Sequence, residues 1–157
     1  MKEKKVKDKV VIRNKRARYD YQIEKTFDAG IVLLGEEIKS IRAGKVSIDN
    51  SYAIEKNNAI WIKNSYIELQ NNYENKPMNN SLRVRKLLLN KKEIDKIKLQ
   101  ITSDGYTLVP INIFYNKKGF AKVKLGLSKG RKIQDKREYK KEQDWKKQKA
   151  RMLKNIR

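Results

Sequence analysis

The chain contains no cysteine and no histidine. Their absence excludes disulfides, zinc sites built on Cys or His, thiol nucleophiles and Ser-His-Asp triads. Acidic residues are scarce: 18 Asp plus Glu face 40 Lys plus Arg, a formal net charge of +22 over 157 residues. Long apolar runs are missing too. Runs such as Ile31–Leu34 and Leu87–Leu89 are no more than four residues long, and the basic N-terminus offers only Val10, Val11 and Ile12 before Arg13. Such runs are too short for a bilayer span or a signal-peptide core. The sequence predicts a soluble, cytoplasmic protein with no metal, cofactor, small-molecule substrate or membrane partner.

What is there is cationic. A charge of +22 on one small domain repels itself and weakens the compact state unless a polyanion supplies the missing negative charge. Nucleic acid suits that composition better than an anionic membrane. The cations fall into three zones. Residues 1–13 form a lysine-rich, flexible arm, and 14–128 carry the strand and helix patterning of a folded domain. Residues 129–157 form a tail with thirteen cations and four acids.

Within the folded zone the periodicity is mostly that of strands. Tyr19, Tyr21 and Ile23 alternate with Asp20, Gln22 and Glu24, which predicts a half-buried strand from Arg18 to Phe27. Asp28-Ala29-Gly30 interrupts it, and Ile31–Leu34 reads as a buried run. Gly35 opens a short helix over 36–43, with Ile38 and Ile41 three apart, closed by Gly44. Strands over 50–56 and 59–66 flank an Asn57-Asn58 turn. Residues 68–82, rich in Asn around Pro77, read as a mobile loop. Asn90 with Glu93 three residues on predicts a helix start, and Ile94, Ile97 and Ile101 share one face of that helix. Asp104-Gly105 stops it. The last two strands, 106–115 and 120–127, form a hairpin in which Val123, Leu125 and Leu127 oppose Lys122 and Lys124. Five or six strands with inserted helices predict a mainly β fold, a small oligonucleotide-binding-like antiparallel barrel with peripheral helices.

Four segments carry candidate function. Asn14, Lys15, Arg16 and Arg18 sit beside Tyr19 and Tyr21. Guanidinium groups grip phosphate and aromatic faces stack on unpaired bases, so this segment suits RNA. In Gly35–Lys45, Lys39 and Arg42 share a helix face, while Glu36 and Glu37 lie near its N-terminus. Nothing nearby supplies a nucleophile to make those carboxylates catalytic. In Arg83–Lys92, cations flank the apolar Leu87–Leu89. The tail has many helix-favouring residues but few apolar ones, including Trp145 and Met152 seven apart, too few to fold alone. It suits a segment that is disordered when free and helical on an RNA surface.

These segments resemble the small protein B family in order and spacing. The resemblance rests on Asn14-Lys15-Arg16-Ala17-Arg18, on Phe27-Asp28-Ala29-Gly30-Ile31 and on Gly35–Gly44 with its Glu36-Glu37-Ile38-Lys39-Ser40-Ile41-Arg42. Asp49–Tyr52, Arg85–Asn90, Gly105–Pro110, Lys129–Lys132 and Asp135-Lys136-Arg137 complete it. Asp28 stands where many relatives have Glu, and Tyr19 where His is frequent. The resemblance implies an oligonucleotide-binding-like barrel that binds the tRNA-like part of transfer-messenger RNA and performs no covalent chemistry. It implies trans-translation: rescue of ribosomes stalled without a stop codon, and tagging of the nascent chain for proteolysis. By it, RNA contact is expected at Asn14, Lys15, Arg16, Arg18, Tyr19, Asp28, Lys39, Ser40, Arg42, Lys45, Arg85, Lys86 and Leu89. The tail residues expected in the ribosomal decoding site and messenger channel are Arg131, Lys132, Asp135, Lys136, Arg137, Lys140, Trp145, Lys146, Lys147, Lys149 and Arg151. A general RNA-binding or ribosomal protein is the alternative reading.

Overall fold

A computed structural model describes residues 9–69 and 80–156. The first eight residues of the expected arm, and residues 70–79 of the expected Asn-rich loop, lie outside that description. The chain builds β1 (Lys9–Arg13), α1 (Ala17–Asp20), β2 (Tyr21–Ile31), α2 (Gly35–Arg42), β3 (Val46–Ser47), β4 (Tyr52–Lys56) and β5 (Ala59–Lys63). It continues through β6 (Tyr66–Ile67), β7 (Arg85–Leu88), α3 (Lys91–Asp104), β8 (Thr107–Tyr115), β9 (Ala121–Gly130) and α4 (Ile133–Asn155).

Six antiparallel strands close on themselves in the order β8-β4-β5-β7-β2-β9, with β9 returning to β8. The fold is mainly β with peripheral helices, as the strand patterning predicts. The ring is uneven. β2 and β9 pair from Tyr21↔Gly130 to Gly30↔Lys122, whereas β4 meets β8 at one residue pair, Ala53↔Leu108. That thin seam leaves the assembly a ring of strands more than a fully bonded barrel. Beside the seam, β4, α3 and the start of β8 line a cleft of about 370 Å³.

Alternation fills the ring. Val123, Leu125 and Leu127 of β9 are fully buried against Ile60 and Ile62 of β5, Leu87 of β7, and Leu108 and Ile113 of β8. Ile41 of α2 and Ile97 of α3 join the same core, each such side chain contributing roughly 1.5–3 kcal/mol. Ile94 and Ile101 pack beside Ile97, while Leu99 stays exposed. Asn57 and Asn58 both take positive φ, the two-residue hairpin turn their sequence favours. Glu93 accepts the Asn90 N–H at 3.0 Å, and Gly105, at φ 65°, ends α3 in the left-handed conformation.

The structure differs from the sequence reading in five places. The arm ends earlier: Lys9–Arg13 is a strand on β8, with Arg13 opposite Asn112. Its β-branched Val10-Val11-Ile12 suits a strand, a signal that the surrounding lysines mask. Residues 17–20 are a helical turn, because the Asn14 side chain accepts the N–H groups of Arg16 (3.1 Å) and Ala17 (3.0 Å) and curls the chain. β2 runs unbroken through Asp28-Ala29-Gly30. Gly30 passes so close to β7 that a Cβ there would meet the Leu88 Cβ at 3.2 Å. The Ile31–Leu34 run is half exposed, since Val32 and Leu34 face outward. At the other end β9 extends to Gly130, two residues past the expected domain end at 128.

Candidate nucleic-acid interface

The corner formed by α1 starts from one buried asparagine. Asn14 donates from Nδ2 to the carbonyls of Ile48 (3.0 Å) and Pro110 (2.9 Å), and its Oδ1 takes the two N–H groups that shape α1. Every polar atom of its side chain is thus used inside the protein. Asn14 is thus held inside the protein as a positioning residue, although it is expected among the RNA contacts. It sets Lys15, Arg16, Arg18 and Tyr19 on the surface, where all four are exposed. The Lys15 N–H is held by Asp49 at 2.9 Å, and Arg16 lies 3.5 Å from Asp20.

β1 joins this corner to α2. Lys9 pairs with Tyr115 at one end of β8, and the Asn14 N–H reaches the Ile111 carbonyl near the middle. Arg42, at the end of α2, lines a cleft together with Lys9 and Tyr115. Exposed cations therefore run from Arg42 through Lys9 and Arg13 to Lys15 and Arg16, beside a stretch of β8 spanning roughly 15–20 Å. The sequence reading missed Lys9 and Arg13, because their strand was taken for part of the arm.

On α2 the expected residues separate. Lys39 and Arg42 are exposed. Lys39 lies 3.4 Å from Glu36, and Lys45 3.1 Å from Glu68. Ser40 is buried, with its hydroxyl given to the Glu68 carbonyl, so it fixes the 68 segment. Glu37, read from the sequence only as an acid near the helix N-terminus, is fully buried. It accepts from Arg83 Nη2 at 2.7 Å, from Arg85 Nε at 2.9 Å and from the Leu34 N–H at 2.9 Å. Burial alone would push its carboxyl up, but these hydrogen bonds outweigh it and hold the group below the ordinary glutamate range.

Arg85, read as an RNA contact, is fully buried as well. Besides Glu37 it donates to the Ser65 carbonyl (2.8 Å) and hydroxyl (2.9 Å) and to the carbonyls of Arg83 and Ser81. With its donors spent internally it ties β7 to α2 and cannot reach a phosphate. Leu89 packs against the core. Lys86, next to Arg85 in the chain, points outward, 6.0 Å from the centre of the Trp61 ring. Register places Lys86 opposite Trp61, and Gly30 opposite Leu88 and Lys122. Asp28 is paired with Lys124 at 2.9 Å on that outer surface. Lys122 and Lys124 were visible in the sequence as the polar side of an alternating strand, but were read only as a face, not as contacts.

The tail is a helix whose covered residues are few. Lys136, Tyr139 and Gln143 are partly covered, at spacings of three and four, and α4 buries nothing. Lys136 reaches Asp20 at 3.2 Å, and the Lys132 N–H is accepted by Asp135 at 3.3 Å. The remaining expected tail residues, Lys132, Asp135, Arg137, Lys140, Trp145, Lys146, Lys147, Lys149 and Arg151, are exposed, and Arg131 is partly covered. Among the described residues no helix is long and apolar enough to cross a membrane.

Three comparisons agree. The pattern of the SmpB protein family matches residues 11–155. An SsrA-binding protein of Agrobacterium fabrum is 47% identical over 152 residues, covering 95% of this chain and 92% of the relative. One from Orientia tsutsugamushi (strain Ikeda) is 50% identical over 150 residues, covering 94% and 95%. A solved chain presented under the words "tmRNA-SmpB: a journey to the center of the bacterial ribosome" superposes with a TM-score of 0.63 at 40% identity. It spans 81% of this chain and 92% of that one.

Proposed function

The chain belongs to the SmpB protein family, and from that premise we propose how its surfaces divide the family's work. The protein binds transfer-messenger RNA and carries it to stalled ribosomes, enabling trans-translation. The observation that carries the assignment of surfaces is the basic rail along β1, which joins Arg42 and Lys9 to Lys15 and Arg16. Spaced cations on a rigid strand match the repeat of phosphates along a folded RNA backbone, and each neutralised phosphate releases a counterion. Lys39 and Lys45 extend the rail on α2, Arg18 and Tyr19 flank its other end, and the outer Lys86–Trp61 and Asp28–Lys124 pairs offer a second contact region.

The protein acts as an adaptor and not as an enzyme. Acids near the rail are engaged with cations: Glu37 with Arg83 and Arg85, Glu36 with Lys39, Glu68 with Lys45, Asp20 with Arg16. These four carboxylates are committed to cations rather than poised for proton transfer. Its partners place it in the cytoplasm. The tail frays in the free protein and holds its helix in the messenger channel, where RNA phosphate offsets Lys140, Lys146, Lys147, Lys149 and Arg151.

Measuring binding to a tRNA-like RNA against salt tests the rail. Wild type should lose affinity steeply as salt rises, and Arg16→Ala with Arg42→Ala should lower the slope by about one per cation removed. An unchanged slope would remove the rail from the interface.

A further inference from the structure

We propose that Asp20 is a positioning residue that latches the first turns of α4 to the RNA-facing corner. This inference rests on the adaptor reading above and names how its two working surfaces are joined. The Asp20 carbonyl accepts the Arg131 N–H at 2.9 Å, and the Arg18 carbonyl accepts Arg131 Nε–H at 3.3 Å. These bonds set the direction in which the chain leaves β9. The Asp20 carboxylate then takes Lys136 at 3.2 Å through one oxygen and Arg16 at 3.5 Å through the other. Lys136 also lies 5.8 Å from the Tyr19 ring centre, and the Arg131 guanidinium 4.5 Å from that of Tyr139.

One carboxylate therefore serves a cation on each surface. Its side chain is 23% exposed, sheltered more than an open surface pair. Past Gln143 every described residue of α4 is exposed, so the coverage of the helix is confined to its first three turns, where the latch lies. The cost of starting a helix lies in its first turn, and a first turn held by tertiary contacts removes that cost for the residues that follow. The latch thus acts as a seed from which the exposed part of α4 propagates once its charges are offset.

The shared carboxylate also gives the coupling a sign. A phosphate that engages Arg16 draws the guanidinium away from Asp20. The carboxylate is then left to Lys136 alone, and the latch tightens. RNA at the corner steadies the tail, so the tail is aimed only when its cargo is aboard.

The chain has no cysteine, so two introduced ones label it uniquely. Spin labels at Lys118→Cys and Met152→Cys in the full chain report the orientation of α4 as a distance distribution. It should be narrower with tRNA-like RNA than without. Asp20→Asn should broaden it in both states, Lys136→Gln should broaden it alike, and Asp20→Glu should restore it. Asp20→Asn should leave RNA affinity within a few-fold and reduce tagging of stalled chains by about fivefold, the ceiling for an exposed pair. A distribution in Asp20→Asn as narrow as wild type, with tagging intact, overturns the latch. Failure of the wild type to bind the RNA at all would instead strike the adaptor reading, while the RNA-free distances still judge the latch.

Discussion

Helices α2 and α4 look alike in sequence and are held in opposite ways. Both carry acids in the first turn and cations beyond. α2 has 8 residues and buries Glu37, Ser40 and Ile41; α4 has 23 residues and buries none. Length and propensity favour α4, yet α2 is the fixed one. Its fixing comes from Ile41 in the core and from the Glu37 node that ties it to β7 across 48 positions of sequence. Tertiary burial, more than intrinsic helix preference, decides which helix is permanent. The protein thereby has one helix fixed by the core and a long one that the core does not hold.

The comparison breaks hardest at Glu37. Glu37→Gln leaves Arg85 buried without its counter-charge and should cost about 3–5 kcal/mol, read as a fall in urea midpoint. Lys39→Ala, two residues away and exposed, should stay within roughly 0.5 kcal/mol.

Acid should act on the same node. The Glu37 carboxyl is held below its ordinary value in the folded state, so the unfolded chain binds the proton more readily. Its stabilisation is fully present above the ordinary glutamate value of about 4.3 and is lost as pH falls through the lowered native value. Urea midpoints measured downward from about pH 5 should fall in wild type and flatten in Glu37→Gln. Equal slopes in the two proteins would remove Glu37 from the acid response.

The smallest effect is expected from removing α4. A chain ending at Lys132 keeps β9 and the Arg131 contacts with α1, and should lose no more than about 0.5 kcal/mol of stability. Its affinity for tRNA-like RNA should stay within a few-fold while tagging stops. A cut after Ser128 would be a poorer experiment, since Lys129 and Gly130 pair with Gln22 and Tyr21 in the sheet. A large loss of stability in the Lys132 truncation would make α4 part of the folded body and erase the contrast with α2.

What the sequence disclosed follows from the range of the forces involved. The β9 alternation, the Asn57-Asn58 hairpin and the start and stop of α3 are local, and local patterns announce them. The internal partners of Asn14, Glu37 and Arg85 were not legible because they are distant: Pro110 lies 96 positions from Asn14, and Arg85 lies 48 from Glu37. A charged or amide side chain looks the same in sequence whether it faces phosphate or is spent inside. β1 was hidden differently, as three strand-forming residues in a lysine-rich surround with no turn to mark them. The tail's cations were legible as composition, but Asp20 as their receiver was not, because it sits more than a hundred residues upstream of Lys136.

The thin β4–β8 seam gives the ring a place to come apart. With Ala53↔Leu108 as its one pairing, the β4–β5 hairpin is secured on one edge by β7 and scarcely at all on the other. Opening there breaks few backbone hydrogen bonds and admits water to a cleft already present beside Tyr52 and Ile54. Amide protons facing the seam should then exchange with solvent well before those between β2 and β9, by local openings that cost far less than global unfolding. The seam should therefore open first, while the longest strand pairing, the one that leads into the tail, stays closed.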